Sequence, residues 1–170
     1  MASVPPLTPL AAAVLDVGTP ERILQIECGE GDGVLFLARE FPSARIRGVD
    51  RSAEAIRHAT ARVGLDPEGR VAFKRAAPAS LPFPGDHFDL VVALDARPAL
   101  RETARVLRRS GFLVLVHTAR REVRGDGFAG RLFGWRLVRA GFEAAPSQQA
   151  GEGSFSVHRL AGGDGPGRSL

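Results

Sequence analysis

The stretch that decides the fold is Glu21-Arg-Ile-Leu-Gln-Ile-Glu-Cys-Gly-Glu-Gly-Asp-Gly33, followed by Val34-Leu-Phe-Leu-Ala-Arg-Glu-Phe41. An apolar run leads into three glycines, and apolar side chains then recur at helical spacing. Apolar residues that alternate and then, after the glycines, recur every 3.6 residues predict a strand, a tight loop and a helix. Glycine lets a backbone turn sharply and approach a ligand, and the helix presents free N–H groups there. A glycine turn that binds nothing is the competing interpretation at this point.

The composition is typical of one globular domain. The chain has 170 residues, of which 44% are apolar and 25% are charged, and this length can bury a sizeable core. The single cysteine, Cys28, excludes an internal disulfide framework and a thiolate cluster for zinc. No apolar run is long enough to span a bilayer, and the first residues lack the basic segment of a secretory leader. We therefore expect a cytoplasmic protein with no membrane partner.

The net charge of +4 is unevenly distributed along the chain. Residues 1–95 carry 10 basic and 13 acidic groups, whereas residues 96–170 carry 13 basic and 6 acidic groups. A basic half can indicate a surface for nucleic acid or for an acidic substrate. However, the chain has one tryptophan and no tyrosine, so it has few rings on which bases could stack. We do not expect nucleic acid to be a partner.

Strands and helices alternate along the whole chain. The predicted strands are residues 21–26, 45–50, 70–75, 88–94 and 111–116, a sixth that begins at Gly141-Phe142, and 154–160, with a turn at 148–153. The predicted helices are residues 10–15, 34–41, 53–63, 98–107 and 128–140, and residues 120–127 form a polar connection. This order predicts an α/β fold with a doubly wound, mainly parallel seven-stranded sheet and an antiparallel terminal hairpin. We divide the chain into an N-terminal segment (1–20), one domain (21–160) and a disordered tail (161–170).

Six short motifs occur in a recognisable order. They are Leu24-Gln-Ile-Glu-Cys-Gly-Glu-Gly31, Gly48-Val-Asp50 with Ser52, Leu81-Pro-Phe83, Phe88-Asp-Leu-Val-Val92, Arg105-Val-Leu-Arg-Arg-Ser-Gly111 and Ala140-Gly-Phe142. Across residues 22–160 this pattern resembles the class I S-adenosylmethionine-dependent methyltransferases, particularly the small-molecule type often written V-L-D-x-G-C-G-x-G. The resemblance implies a Rossmann-like fold, S-adenosylmethionine as cofactor, and methyl transfer to an acceptor that the sequence does not identify.

The resemblance also implies where the cofactor binds. Gly29 and Gly31 would lie against its methionine and ribose portions, and Asp50, at a strand end, would accept hydrogen bonds from both ribose hydroxyls. The cofactor-binding residues carried over from the family are Gln25, Glu27, Cys28, Gly29, Gly31, Asp50, Arg51, Ala77 and Leu94.

Three of these positions depart from the family pattern. The family usually has an acidic residue where Gln25 stands, glycine where Glu27 stands, and an adenine-binding aspartate where Ala77 stands. An amide cannot offset the positive charge of the cofactor, and the lost aspartate removes a hydrogen bond of about 0.5–1.5 kcal/mol. Glu27 either supplies a carboxylate to the amino group of the cofactor or crowds its methionine end.

The departures leave two alternatives open. One is a degenerate, catalytically inactive member that keeps the fold as a binding or scaffold module. The other is a nicotinamide-binding oxidoreductase domain, which is disfavoured because Val34 stands where G-x-G-x-x-G requires its last glycine.

The catalytic residues remain unassigned, with His117 and Asp95 as candidates. His117 follows the fifth predicted strand and could act as a general base near pH 7. Asp95 resembles the metal-binding aspartate of catechol-type O-methyltransferases, but it stands one residue late and has no companion Asp-Asn pair, so we expect no metal. No Asn-Pro-Pro-Tyr-like segment follows the fourth strand, which disfavours N-methylation of bases or glutamine.

Few residues precede the first strand, and little is inserted after the fifth. Small-molecule members of the family commonly build a lid from these two places. The resemblance therefore implies a large acceptor, a partner chain that closes the site, or loss of the transfer activity.

Overall fold

The architecture is a seven-stranded sheet with helices on both faces. The computed structural model describes residues 6–118 and 128–162. The strands are β1 (Arg22–Ile26), β2 (Arg45–Asp50), β3 (Val71–Arg75), β4 (Phe88–Leu94), β5 (Leu107–His117), β6 (Gln148–Ala150) and β7 (Gly153–Arg159). The helices are α1 (Thr8–Ala13), which continues as a 3-10 turn (Val14–Asp16), α2 (Asp32–Glu40), α3 (Ala53–Val63), α4 (Leu100–Val106) and α5 (Phe128–Arg139).

The strand order is β3-β2-β1-β4-β5-β7-β6. The five strands from β3 to β5 are parallel, and β7 pairs antiparallel with both β5 and β6. This confirms the predicted doubly wound sheet with its antiparallel end. Because β1 lies between β2 and β4, the topological switch point is at the carboxyl end of β1, where open α/β sheets bind their ligands. The glycine loop begins at that point.

Alternating side chains of the strands build two apolar layers. Ile23 belongs to the core beneath α1 and α2, whereas Leu24, its neighbour in β1, belongs to the core beneath α4 and α5. Both residues are fully buried, as expected for a strand covered on both faces. Helix α1, which precedes residue 21, packs Leu10 and Ala13 into the first of these cores without exposing either.

The prediction of the sixth strand was wrong in position. Phe142 makes a single antiparallel bridge with Leu160, and β6 lies instead at Gln148–Ala150, inside the stretch that was predicted to be a turn. Strand β6 is a three-residue edge strand whose two glutamines are exposed. Its sequence, Gln-Gln-Ala, therefore lacks the apolar alternation by which a strand is recognised. A two-residue loop holds it against β7, with Gly151 at φ 60°.

Strand β5 begins four residues earlier than predicted, because a bulge separates its first residue from the rest. Phe88 of β4 pairs with Leu107, but Leu90 already pairs with Phe112. Ser110 within the bulge has φ 64°, a conformation that costs a non-glycine residue about 1–2 kcal/mol. The bulge and the short helix α4 join without an intervening loop.

No helix that the structure describes is long and apolar enough to cross a membrane.

Candidate cofactor site

The loop between β1 and α2 holds a left-handed backbone at three of its residues. Glu27, Gly29 and Gly31 have φ values of 48°, 54° and 88°. A Cβ atom on Gly31 would lie 2.9 Å from Cζ of Phe73, so that glycine is required by the packing of the loop on β3. A Cβ atom on Gly29 would meet no atom of residues 6–118 and 128–162 within 4 Å. The Gly29 side of the loop is therefore open, while the Gly31 side is packed.

The Asp50 carboxylate ties the glycine loop to the end of β2. Its Oδ2 accepts a hydrogen bond from the Gly29 N–H at 2.9 Å, and its Oδ1 accepts one from the Ser52 N–H at 2.8 Å. An ionised carboxylate offers about four acceptor positions, so each oxygen can still accept a further hydrogen bond. This arrangement can accommodate a ligand with two neighbouring hydroxyls, and the binding role of Asp50 stays a prediction. The two bonds to the backbone also orient the carboxylate before a ligand binds.

Gln25 lies under the loop with its amide almost wholly buried. The residue is 2% exposed, and its Oε1 has no hydrogen-bond partner among the described residues. A Cβ atom on Gly33 would stand 2.5 Å from that oxygen, so the third glycine of the loop makes room for the amide. A buried acceptor without a donor is costly, at about 1–3 kcal/mol. The site thus has an unused acceptor beneath the glycine loop, which suits an amine or a water molecule.

Glu27 and Arg51 form an ion pair at the rim of the same loop. Oε1 of Glu27 lies 3.7 Å from Nε of Arg51, and their side chains are 34% and 67% exposed. The left-handed backbone of Glu27 is a conformation that glycine adopts without cost. The carboxylate sits two residues after Gln25, so a negative charge remains at the loop although position 25 is neutral.

Cys28 contributes packing and not a reactive thiol. Burial, reinforced by the neighbouring Asp50 carboxylate, raises the pKa of the thiol to about 12. The Cys28 N–H donates to the Val49 carbonyl at 2.9 Å, which joins the loop to β2. The thiol therefore stays protonated at physiological pH and is no candidate nucleophile.

Ala77 follows β3 in a short turn next to Asp50. The Ala76 N–H donates to the Asp50 carbonyl at 2.9 Å, and Ala77 forms a bridge with Ser80. These bonds position residue 77 at the carboxyl edge of the sheet, but its methyl side chain cannot hydrogen-bond a base. Leu94 ends β4 at the same edge and is partly buried.

Asp95 and His117 are not brought to the glycine loop by any contact in the described residues. Asp95 accepts hydrogen bonds from the Thr118 N–H and hydroxyl at 2.9 and 2.5 Å, so its carboxylate holds the end of β5. His117 follows Leu113 and Leu115 on the α4/α5 face of the sheet, and its Nδ1 is buried without a partner in the described part of the chain. The catalytic role of both residues remains a prediction.

The sequence analysis did not identify Phe73 or Thr118 as part of the site. Phe73 packs against the positions of Gly31 and Gly48, and its ring supports the glycine loop from β3. The alternation of β3 was a usable signal, since it places Phe73 on the same face as Val71. Nothing in the sequence pairs Thr118 with Asp95, because that contact depends on the ends of two separate strands.

With this geometry described, comparison with known proteins identifies the family. A family model described as "Methyltransferase domain" matches residues 23–111, which include the glycine loop and Asp50. The chain belongs to this methyltransferase family. The predicted relation to class I S-adenosylmethionine-dependent methyltransferases is therefore confirmed, and S-adenosylmethionine is the cofactor of the family.

The relatives of this methyltransferase-family chain are longer than it is. A fatty-acid O-methyltransferase of Mycolicibacterium smegmatis is 31% identical over 101 residues, which are 55% of this chain and 36% of that protein. A ubiquinone/menaquinone biosynthesis C-methyltransferase of Syntrophotalea carbinolica is 33% identical over 102 residues, 56% of this chain and 43% of that protein. The chain thus spans less than half the length of these two relatives.

Solved structures show the same fold at low sequence identity. The complex between the Haloferax volcanii Trm112 methyltransferase activator and a methyltransferase includes a chain that superposes with a TM-score of 0.74 at 15% identity. The superposition covers 92% of this chain and 90% of that one. Nearly all of this chain is therefore the shared fold.

Proposed function

We propose that this chain binds S-adenosylmethionine at the carboxyl edge of the sheet and transfers its methyl group to an acceptor. The observation that carries the proposal is the hydrogen bond between the Gly29 N–H and Asp50, which presents a loop with an open face beside an oriented carboxylate. Asp50 would accept the ribose hydroxyls, and the open face of Gly29 would let the backbone lie against the cofactor.

Two further groups suit the methionine end of the cofactor. Gln25 Oε1 is a buried acceptor without a donor, and the Glu27 carboxylate stands at the rim of the loop. Together they would receive the α-ammonium group and offset positive charge, which the usual acidic residue at position 25 does in the family. Bound S-adenosylmethionine supplies a methyl group on sulfonium, a strong electrophile, so the chain needs chiefly to orient an acceptor beside it.

For the acceptor we propose an apolar molecule with a nucleophilic oxygen or carbon. The two relatives described above are named for fatty acids and for ubiquinone and menaquinone biosynthesis, which are lipid-like compounds. The proposal that a partner chain closes the site has support from the Haloferax volcanii neighbour, which is a complex with an activator. The cytoplasm remains the proposed location, in keeping with the free thiol of Cys28.

Calorimetric titration tests the cofactor site. We expect S-adenosylmethionine and S-adenosylhomocysteine to bind and NAD not to bind. Asp50→Ala should weaken S-adenosylhomocysteine about 10- to 100-fold, since hydrogen bonds to a charged group contribute about 1.5–3 kcal/mol. The matched control is Asp16→Ala, because Asp16 is an exposed carboxylate before β1. No binding by the wild-type chain would favour the scaffold alternative, and NAD binding would favour an oxidoreductase.

Methyl transfer is tested separately, with S-adenosylmethionine labelled in its methyl group and a panel of fatty acids, quinols and extracted lipids. Label in the organic phase that depends on Asp50 supports the proposed activity. Intact cofactor binding without transfer to any of these lipids would contradict the proposed acceptor class while leaving the cofactor site in place.

A further inference from the structure

Helix α5 carries apolar side chains on the face turned away from the sheet. Leu137 is 4% exposed and packs into the core beneath α5, with Phe133 beside it. On the opposite side Leu132, Trp135 and Val138 are 44%, 56% and 56% exposed. Their spacing of three residues places them along one stripe of the helix. A surface helix ordinarily has polar residues there, and a cluster of exposed apolar residues marks an interaction site.

The same outward face is positively charged. Arg131, Arg136 and Arg139 are exposed, and the sequence from 128 to 139 contains no acidic residue. The Arg139 guanidinium lies 5.1 Å from the centre of the Trp135 ring, so the cation covers the aromatic face. The stripe therefore combines apolar side chains with three arginines that form no ion pair within the described part of the chain.

Helix α3, on the other side of the sheet, has a different surface. Its exposed residues include Glu54, Arg57 and Arg62, and Arg62 pairs with Asp32 at 2.7 Å. The arginine-rich composition of the chain thus does not by itself give every helix an exposed face with arginines and no acidic residue. Helix α3 therefore does not share the combination found on α5.

The occupant of this face must offer both negative charge and an apolar phase. A second copy of the chain would bring the arginines of two α5 helices together, which is repulsive. A nucleic-acid duplex presents phosphates but would leave Leu132 and Val138 against charged backbone. The headgroup region of an anionic bilayer offers both, and tryptophan is enriched at that depth. We propose that the outward face of α5 docks this protein onto the surface of an anionic lipid bilayer.

The position of α5 relates this surface to the cofactor edge. Strand β5 ends at His117, on the carboxyl edge of the sheet, and α5 is the next helix in the chain. After α5, Phe142 bridges to Leu160, whose N–H bonds to Gly111 near the amino end of β5. Helix α5 therefore runs back from the carboxyl edge towards the amino edge. A bilayer on α5 would lie beside the cofactor edge and would not cover it. The sequence analysis expected no membrane partner because no segment can span a bilayer, but a helix that lies on the surface needs no span.

Trp135 is the only tryptophan of the chain, so its fluorescence reports on this face alone. The purified full chain is titrated with vesicles of phosphatidylcholine containing about one third phosphatidylglycerol, and with phosphatidylcholine alone. We expect a blue shift with the anionic vesicles, quenching by lipids brominated near the headgroup, and loss of both in 0.5 M salt. Phosphatidylcholine alone should bind at least tenfold more weakly.

Variants separate the two components of the surface. Leu132→Gln with Val138→Gln should weaken vesicle binding about tenfold or more through lost apolar burial. Arg131→Gln and Arg136→Gln should each weaken binding to anionic vesicles about fivefold, the effect expected for one basic residue at an anionic surface. The matched controls are Leu65→Gln, at a leucine that is fully exposed at the end of α3, and Arg57→Gln on α3. Both controls should bind as the wild type does.

Several outcomes would overturn the proposal. They are the absence of a blue shift, equal binding to neutral and anionic vesicles, and α5 variants that behave like the α3 controls. A blue shift that depends on protein concentration without lipid would assign the face to a second copy, and an equal shift with duplex DNA would assign it to a polyanion. The affinity of each variant for S-adenosylhomocysteine is measured in parallel, so a failure of the cofactor site is distinguishable from a failure of this surface.

Discussion

At the scale of single residues, backbone strain and an unpaired buried acceptor occur together at the glycine loop. Glu27 has φ 48°, and only glycine adopts that conformation without cost. Gln25 keeps an unpaired Oε1 next to Gly33. Strain and an unpaired buried acceptor at one loop are features that folds retain at binding sites.

Glu27→Gln should weaken S-adenosylmethionine more than S-adenosylhomocysteine. The substitution preserves size and removes the charge at the loop, and only S-adenosylmethionine carries a sulfonium charge. We expect a loss of about 3- to 10-fold for S-adenosylmethionine, in the lower range for a hydrogen bond to a charged group. Calorimetry measures both ligands, and Glu30→Gln is the control because Glu30 is an exposed carboxylate of the same loop. Tighter binding of both ligands by Glu27→Gly would show instead that the side chain crowds the site.

His158 should make stability depend on pH. Its Nδ1–H donates to the Glu143 carbonyl at 3.0 Å, and its Nε2 accepts from the Ser156 hydroxyl at 2.9 Å, so the neutral ring is satisfied. Burial lowers the pKa of His158 in the folded chain despite the Glu143 carbonyl. Below pH ~6.5 the unfolded chain therefore binds a proton that the folded chain resists, and stability falls with decreasing pH.

The check is the free energy of unfolding from urea titrations between pH 5.5 and 8. His158→Gln should reduce the dependence of the unfolding free energy on pH. Part of that dependence should remain, because burial also lowers the pKa of His87. Arg57→Gln, at an exposed residue of α3 that does not titrate in this range, should keep the wild-type slope. An unchanged slope in His158→Gln would contradict the assignment.

At the scale of elements, one glycine in β2 is required by the packing around it, and one glycine in α5 is not. A Cβ atom on Gly48 in β2 would lie 2.6 Å from the Phe73 ring and 2.9 Å from Cys28 Sγ, whereas one on Gly134 in α5 would meet nothing within 4 Å. The first glycine is required for β2 and β3 to pack under the glycine loop. The second lies within a helix, where glycine is a poor choice.

Gly48→Ala should therefore destabilise the fold by about 1–3 kcal/mol, the usual cost of overpacking a core. Gly134→Ala should stabilise it by about 0.5–1 kcal/mol, because alanine is the better helix former. Urea unfolding of the two variants provides the comparison. Similar effects at both positions would mean that the space around Gly48 relaxes.

At the scale of the whole molecule, the amino ends and the carboxyl ends of the parallel strands carry different features. Asp89 joins three strands at the amino edge: its Oδ2 accepts from the N–H groups of Glu21 and Arg22 at 2.9 Å, and its Oδ1 lies 3.0 Å from Arg108 Nη1. A cavity of about 290 Å³ opens there, with Asp89 and Arg108 in its lining. It lies opposite the carboxyl edge that holds Asp50, so it is separate from the cofactor site.

Asp89→Ala should cost about 2–4 kcal/mol of stability through the loss of charged hydrogen bonds. The affinity for S-adenosylhomocysteine should not change, because the cofactor edge is at the other end of the strands. Thermal unfolding and calorimetry measure the two quantities. Asp16→Ala should change neither, and a large loss of affinity in Asp89→Ala would show that the two edges are coupled.

The basic second half has a limited role in this account. Arg108, which precedes the predicted fifth strand, pairs with Asp89 at the amino ends of the strands. Arg120, Arg121 and Arg124, three further arginines of this half, lie outside the described residues. The expectation that nucleic acid is not a partner stays a prediction.

The sequence by itself determined the alternation of strands and helices, the position of the glycine loop and the place of Asp50 at the end of β2. These features follow from local patterns, namely apolar periodicity and glycines, and the family motifs fix their topology. Only the tertiary structure decided the rest. The Asp95–Thr118 contact and the support of Gly31 by Phe73 join residues that are distant in sequence. The position of β6 depends on its pairing with β7 at the edge of the sheet. The burial of Gln25 with an unpaired oxygen, and the exposure of Trp135 on α5, arise only when the two helical layers cover the sheet, because local periodicity does not specify which side chains remain uncovered.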